Sequence, residues 1–318
     1  MYKRFKLSIQ KAMDRTFSWL LWKMSEEARL QVFRMSGRVL GVRSCTCNGT
    51  LGTYEGGIND QSVLACYLFT GNYEPALQAL LADYIFINGH GTFVDIGANI
   101  GLTMIPVARE RGISCFGFEP DPDNYTFLRK NIVGNGVESR VTAFNFALFS
   151  KNGKLDFELS DTNMGDHRIR RKSPSAIKNN AFDEQFRRVI TTKARKLDNV
   201  LNVNSLDRPV AVKIDTQGSE VQVFKGARVF LQGIDYMIVE YWPYGVRRIG
   251  DLPDAFIETV KQFPYGAICD RQSPDVSVRA PKLESISNVI KKMRDIAQDE
   301  SGTTDMNIIL SRHPKFST

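Results

Sequence analysis

The decapeptide Thr92-Phe-Val-Asp-Ile-Gly-Ala-Asn-Ile-Gly101 constrains this chain more than any other stretch. A β-branched and aromatic run ends in the carboxylate of Asp95 and passes at once into a turn carrying Gly97 and Gly101. That is the pattern of a buried parallel strand feeding a helix. At such a junction glycines let the backbone approach a ligand, and free N–H groups at the helix start favour carboxylate or phosphate. The spacing is Gly-x-x-x-Gly after an acid, however, and not the three-glycine fingerprint of a dinucleotide site. An aspartate at the strand end would repel a pyrophosphate and suits a cationic, amino-acid-like ligand such as S-adenosylmethionine. Taken alone, the stretch reads equally well as a plain turn with a capping aspartate, so its neighbours must decide.

Those neighbours alternate strand and helix. Residues 114–118, 141–147, 210–215, 236–240 and 306–310 read as further strands, and a helix begun by Pro122 and capped by Asp121 follows the second. Pro75 is placed to open the helix ahead of Thr92, whereas Pro106 is expected to kink or shorten the one after it. Residues 154–159 and 189–193 read as an antiparallel pair, and 36–60 as loop or hairpin. The alternation predicts an α/β fold with a doubly wound, mostly parallel sheet. Two regions follow: an extension at 1–60, with a basic amphipathic helix and a loop or hairpin, and a ligand-binding domain at 61–318. The polar connection at 160–188 is long for a compact domain, which marks functional or disordered loops.

Charge is distributed unevenly. Of the net +7, residues 1–23 carry +5 and residues 167–196 carry +8, leaving −6 on the remainder. Two basic segments on an acidic body point to local contacts with anionic partners rather than to a nucleic-acid clamp. The first precedes the apolar run Phe17–Trp22, so residues 1–24 read either as an interfacial helix making peripheral membrane contact or as a helix docked by Trp19 and Trp22. The run is too short to span a bilayer, and a cytoplasmic location is expected. Five cysteines make no disulfide framework, and neither they nor any His/Asp/Glu cluster has metal-ligand spacing, so metal-free chemistry is expected.

Ligands of such sheets lie outside the carboxyl ends of the strands, where Asp95, Glu119, Ala147, Asp215 and Glu240 fall. Glu119 stands 24 residues after Asp95 and is placed to accept hydrogen bonds from both hydroxyls of a ribose, since Asp121 already caps the following helix.

Together these residues carry a resemblance. Gly71-Asn-Tyr-Glu74, Val94-Asp-Ile-Gly-Ala-Asn-Ile-Gly101, Phe118-Glu-Pro120, Asn145-Phe-Ala147, Lys196-Leu-Asp198 and Lys213-Ile-Asp-Thr-Gln-Gly-Ser-Glu220 are similar, in order, to the FkbM family of S-adenosylmethionine-dependent methyltransferases. The likeness covers about residues 60–245 and continues more weakly to 310. It implies the class I methyltransferase (Rossmann-like) sheet with an antiparallel last strand, and methylation of a hydroxyl on a sugar, glycolipid or polyketide-type acceptor. Gln217 departs from the glutamate common in the family.

Beside the resemblance, roles follow from chemistry. Gly97, Ala98 and Gly101 let the turn close on the methionine part of the cofactor, and Asp95 or Asn99 is expected to bind its amino group. Glu119 with Pro120 serves the ribose, and Asn145 with Ala147 the adenine. Methyl transfer to a hydroxyl benefits from a general base, for which Asp215 is the first candidate and Glu220, Glu74 and Lys213 are alternatives. Lys213 and Glu220 read equally as a buried ion pair shaping the loop. His167 is a further candidate base or substrate contact. The basic segment 168–196 reads as a contact for an anionic acceptor, through Arg170, Arg171 and Lys172, or as a solvated lid.

Three other classes compete. An NAD-dependent oxidoreductase needs the missing three-glycine fingerprint. A nucleic-acid methyltransferase of the base-amino type would show an Asp/Asn-Pro-Pro-Tyr/Phe tetrapeptide, which Tyr241-Trp-Pro-Tyr244 does not supply. A non-catalytic, membrane-associated cofactor-binding protein would keep the same sheet.

Overall fold

Runs that are apolar along their whole length bury both faces in a parallel sheet. Thr92–Ile96 and Val210–Ile214 are buried at every residue, and Tyr236–Tyr241 at all but one. The computed structural model describes residues 19–20, 23–170, 187–269, 281–299 and 302–316. A hairpin of β1 (Ser44–Gly49) and β2 (Gly52–Gly57) comes first, followed by β3 (Thr92–Ile96), β4 (Ser114–Phe118) and β5 (Val141–Phe144). A side sheet contains β6 (Ala147–Leu148), β7 (Gly153–Leu159), β8 (Arg168–Ile169) and β9 (Arg188–Arg195). The chain then returns through β10 (Val210–Ile214), β11 (Tyr236–Tyr241), β12 (Tyr265–Cys269), β13 (Glu284–Ser285) and β14 (Met306–Ser311).

The main sheet has the order β13-β12-β14-β11-β10-β3-β4-β5. Strands β5, β4, β3, β10 and β11 are mutually parallel, while β14 runs antiparallel to both β11 and β12. Strand order reverses at β3, whose neighbours are β4 and β10, so the switch point lies where the opening decapeptide ends. Alternate residues feed two cores: Phe93, Ala211 and Ile238 on one face, Val94, Val212 and Val239 on the other.

The sheet and its antiparallel last strand match the expected fold. The 153–159 and 188–195 segments pair antiparallel, with Phe157 opposite Ile190. Strand β12 and the helices Pro253–Val260 and Ile286–Ala297 are additions that the sequence reading lacked. So is the helix Glu26–Leu40, which occupies the start of the segment read as loop or hairpin. Pro106 falls in the first turn of its helix, which starts only at Met104, so no intrahelical N–H bond is lost there.

The hairpin is fastened to the helix Pro122–Gly134. Asn131 Oδ1 accepts from Glu55 N (2.7 Å), and its amide donates to Glu55 O (3.0 Å) and Ile100 O (2.9 Å). Its Cys47, Leu51 and Tyr54 enter the core that holds Phe93. Of the N-terminal segment 1–24 only Trp19, Leu20, Lys23 and Met24 belong to the described residues, and Trp19 and Leu20 are exposed. Among the described residues, no helix is long and apolar enough to cross a membrane.

Candidate active site

The turn after β3 is shaped by two glycines with different tasks. A Cβ on Gly97 (φ +87°) would stand 2.0 Å from Asp215 O, so glycine lets the ends of β3 and β10 meet. A Cβ on Gly101 would strike Ile105 and Leu128 at 2.5 and 2.8 Å. Gly101 therefore packs the turn onto the core and does not line the pocket. Between them, Gly97 N and Ala98 N both donate to Phe118 O (3.0 Å), tying the turn to β4.

Asn99, with φ +49°, is the hub of the turn. Its backbone N–H donates to Glu119 Oε2 (2.8 Å), its Oδ1 accepts from Ile100 N (2.8 Å) and its Nδ2 donates to Met164 O (2.7 Å). Glu119 accepts a second bond at Oε1 from Asp121 N (2.8 Å). Burial pushes its carboxyl up to about 8, with neighbouring Asp121 adding to the shift and the two amides opposing it. Each oxygen keeps one lone pair for a hydroxyl of a vicinal diol. Capping falls to Asp121, whose Oδ2 accepts from Asn124 N (3.0 Å).

One pocket runs from Gly97 and Asn99 past Glu119 and Pro120 to Phe146, Ala147 and Leu148. Phe118 and Phe146, with ring centroids 5.6 Å apart, form its aromatic wall, and Phe144 packs against both at 4.9 and 5.5 Å. Asn145 stands outside the lining and braces it, its amide donating to Glu119 O (2.9 Å) and Pro120 O (3.3 Å). A second, smaller space adjoins at Gly97, Asn99 and Asp215 and is lined also by Tyr73, Ala98, Thr103 and Lys213.

The charges around that smaller space follow from strand register. Lys213 is the direct partner of Asp95 across β10 and β3, and Asp215 lies two residues on, on the same face. Lys213 Nζ accordingly sits 3.6 Å from Asp95 Oδ1 and 3.4 Å from Asp215 Oδ2. Asp95 lines neither space and reaches the site only through Lys213. Its burial raises its carboxyl to about 6 against the pull of Lys213, while Glu74 and Asp215 add to the rise.

Asp215 borders both spaces. Gln217, held at φ +53°, donates through Nε2 to Asp215 Oδ1 (2.8 Å) and to Glu240 Oε2 (3.0 Å). Glu220 is fully buried and shapes this loop instead of facing the pocket. Its Oε1 accepts from Thr216 N (3.0 Å), Thr216 Oγ1 (3.0 Å) and Gly218 N (3.1 Å), and burial lifts its carboxyl to about 7. The ion pair considered for Lys213 and Glu220 does not form, because register gives Lys213 the two aspartates. Glu74, buried in a left-handed conformation ahead of the helix Pro75–Ala79, accepts from Thr103 Oγ1 (3.3 Å) and lies behind the lining.

The first part of the polar connection, residues 160–167, forms a strap over the pocket. Met164 O accepts from both Asn99 Nδ2 and Asn124 Nδ2 (3.1 Å), Met164 N donates to Asp60 Oδ1 (3.3 Å) and Gln61 N donates to Thr162 O (2.8 Å). His167 lines the pocket, its Nδ1 accepting from Ser160 N (3.1 Å) and its Nε2 3.6 Å from Asp121 Oδ2. Arg168 and Arg187 both pair with Asp166, and Arg170 lies 4.0 Å from Glu158. Arg171 and Lys172 lie outside the described residues. The sequence reading missed Phe146, Met164, Gly165 and Thr216 in the lining. Only the strand-end position after β5 could have pointed to Phe146. Among the described residues, no group of three or more His, Cys, Asp or Glu is placed to hold a metal ion.

Comparison with known proteins was made against this geometry. A family model described as the methyltransferase FkbM domain matches residues 95–263. The hexuronic acid methyltransferase AglP of Haloferax volcanii is 27% identical over 147 residues, 46% of this chain and 54% of that protein. The chain thus spans about half the length of that relative. The 2-O-methyltransferase NoeI of Sinorhizobium fredii is 30% identical over 208 residues, 60% of this chain and 79% of that protein. Among solved structures, the Pyrococcus horikoshii TYW2 complex with MeSAdo superposes with a TM-score of 0.40 at 12% identity, covering 89% of this chain and 83% of that one.

Proposed function

The chain belongs to the FkbM methyltransferase family, and on that premise we propose that it transfers a methyl group from S-adenosylmethionine to a hydroxyl of a sugar. The observation that carries this reading is the meeting of a diol-binding carboxylate, Glu119, with the Lys213–Asp215–Gln217–Glu240 row at one turn. The names of the two relatives, one acting on a hexuronic acid and one a 2-O-methyltransferase, support a sugar hydroxyl as acceptor.

The residues present fit the cofactor. Glu119 would take the ribose hydroxyls, the wall of Phe118 and Phe146 with Ala147 the adenine, and the turn at Gly97, Ala98 and Asn99 the methionine end. When bound, S-adenosylmethionine supplies an electrophilic methyl on a sulfonium. The chain's part is to align an acceptor oxygen in line with that bond and to receive its proton, and alignment can supply several kcal/mol of the barrier. Asp215 is the residue for the proton. Lys213 and Gln217 hold its carboxylate in a fixed position, one at each oxygen. Gln217 adds a second carboxylate, Glu240, on the other side of the same amide.

The test is incubation with methyl-labelled cofactor and fractionated cell glycans, followed by assignment of the labelled hydroxyl. Asp215→Asn should keep cofactor affinity and lose about 10²- to 10⁴-fold in kcat, the range of a lost general base. Full turnover by that variant would move the proton's destination elsewhere, with Glu240→Gln the next variant to measure.

A further inference from the structure

Beside the cofactor pocket lies a much larger groove of about 710 Å³. The hairpin end at Arg43, Ser44, Glu55 and Asn59 forms one bank, and the first turns of the helix Pro122–Gly134 form the other, at Asp123, Phe127 and Lys130. Ser160, Asp161 and Arg188 close its far side. It joins the pocket at Asn124, Met164 and His167, which line both.

Two acceptor atoms in this lining have no donor. Asp121 is 2% exposed and spends Oδ2 on Asn124 N, while its buried Oδ1 accepts no hydrogen bond. Asn59 Oδ1 is likewise buried and unbonded. Both atoms are sealed from the groove, so a ligand meets the exposed groups around them. Around them the groove mixes donors (Arg43, Lys130, Arg188) with acids (Glu55, Asp121, Asp123, Asp161), and Phe127 offers a ring. Four carboxylates against three cations disfavour a phosphate-rich or sulfated chain. Hydroxyl donors, interspersed acceptors and one aromatic ring match a neutral saccharide.

We propose that this groove is a saccharide subsite, holding sugar residues adjacent to the one whose hydroxyl is methylated. The assignment rests on the sugar-methylating reading above and adds to it a neutral, hydroxyl-rich chain longer than one residue. Hydroxyls of the bound sugar donate to the exposed carboxylates of Asp123 and Asp161, Arg43 and Arg188 bond to its oxygens, and one pyranose face lies against Phe127.

The experiment is a soluble glycan panel of neutral, uronate-containing and phosphorylated oligosaccharides, with a tetranucleotide as polyanion control. Binding is read by saturation-transfer NMR and calorimetry on the full chain saturated with S-adenosylhomocysteine. The expected result is retention of neutral oligosaccharides of two or more residues. Phe127→Ala, Asp161→Asn and Arg188→Ala should each raise their Kd about tenfold and leave the Kd of S-adenosylhomocysteine unchanged. Binding indifferent to all three variants, binding of phosphorylated or nucleotide probes alone, or no glycan bound at all would each overturn the subsite. If glycans bind as described but no sugar accepts label, the methylation reading fails and the groove stands. If label transfers with a KM independent of glycan length and of these variants, the reverse holds.

Discussion

At the scale of single residues, Lys213 is the most consequential side chain in the site. It is almost fully buried between two carboxylates, and removing it leaves Asp95 charged or forced to protonate inside the sheet. Breaking a buried pair from one side costs about 3–5 kcal/mol. Lys213→Met should therefore lower the stability measured by urea unfolding by that order, and Lys213→Met with Asp95→Asn should recover most of it. A double variant no better than the single would show that the pair is not the source. Glu119 makes a pH prediction. Its carboxyl is raised from 4.5 to about 8, so the unfolded chain gives up the proton first and folding loses stability between those values as pH rises. Glu119→Gln removes that loss, and its melting temperature relative to the parent should climb from pH 5 to pH 8. Above pH 8, where the carboxyl is ionised, the same variant should bind cofactor about 10- to 100-fold more weakly, the worth of hydrogen bonds to a charged acceptor. Parallel melting curves would show that Glu119 does not titrate there.

At the scale of elements, the turn after β3 and the strap over it work as one unit. The Met164 carbonyl is shared by Asn99 in the turn and Asn124 in the helix Pro122–Gly134, so three segments far apart in sequence close on one oxygen. Asn124→Ala removes one of these bonds, worth about 1 kcal/mol, and should weaken cofactor binding about fivefold with the helix cap intact. An unchanged Kd would mean that the strap does not report to the pocket. The turn itself was legible, because glycines after a buried acidic strand admit few geometries. The strap was not: its bonds run to backbone carbonyls and amides, which carry no residue signature.

At the scale of the whole molecule, the end of the helix Glu26–Leu40 leaves apolar residues uncovered. Met35, Val39 and Leu40 are 65%, 86% and 76% exposed, Val42 is partly so, and the preceding segment is strongly basic. Apolar side chains beside cations are what an anionic bilayer surface binds. The full chain should co-sediment with vesicles containing anionic lipid, less so as salt is raised, and Val39→Asp with Leu40→Asp should weaken the association. Equal sedimentation with and without vesicles would remove membrane contact from the account of this chain.

What the sequence determined by itself was the parallel part of the sheet with its antiparallel strand β14, the switch point and the carboxylates at its edge. Strand periodicity and glycine placement are local properties, and a strand's last residue lies at the carboxyl edge wherever the strand sits. Tertiary structure decided which of those carboxylates face the pocket. Asp95 and Asp215 are equivalent in sequence pattern, yet register gives Asp95 to Lys213 in the interior and leaves Asp215 at the lining. Glu220 turned inward to satisfy three donors of its own loop, and Asn145 turned to brace the turn above it. The groove beside the pocket arises only where the hairpin, the helix Pro122–Gly134 and the strap converge, a juxtaposition set by long-range packing and by no local pattern.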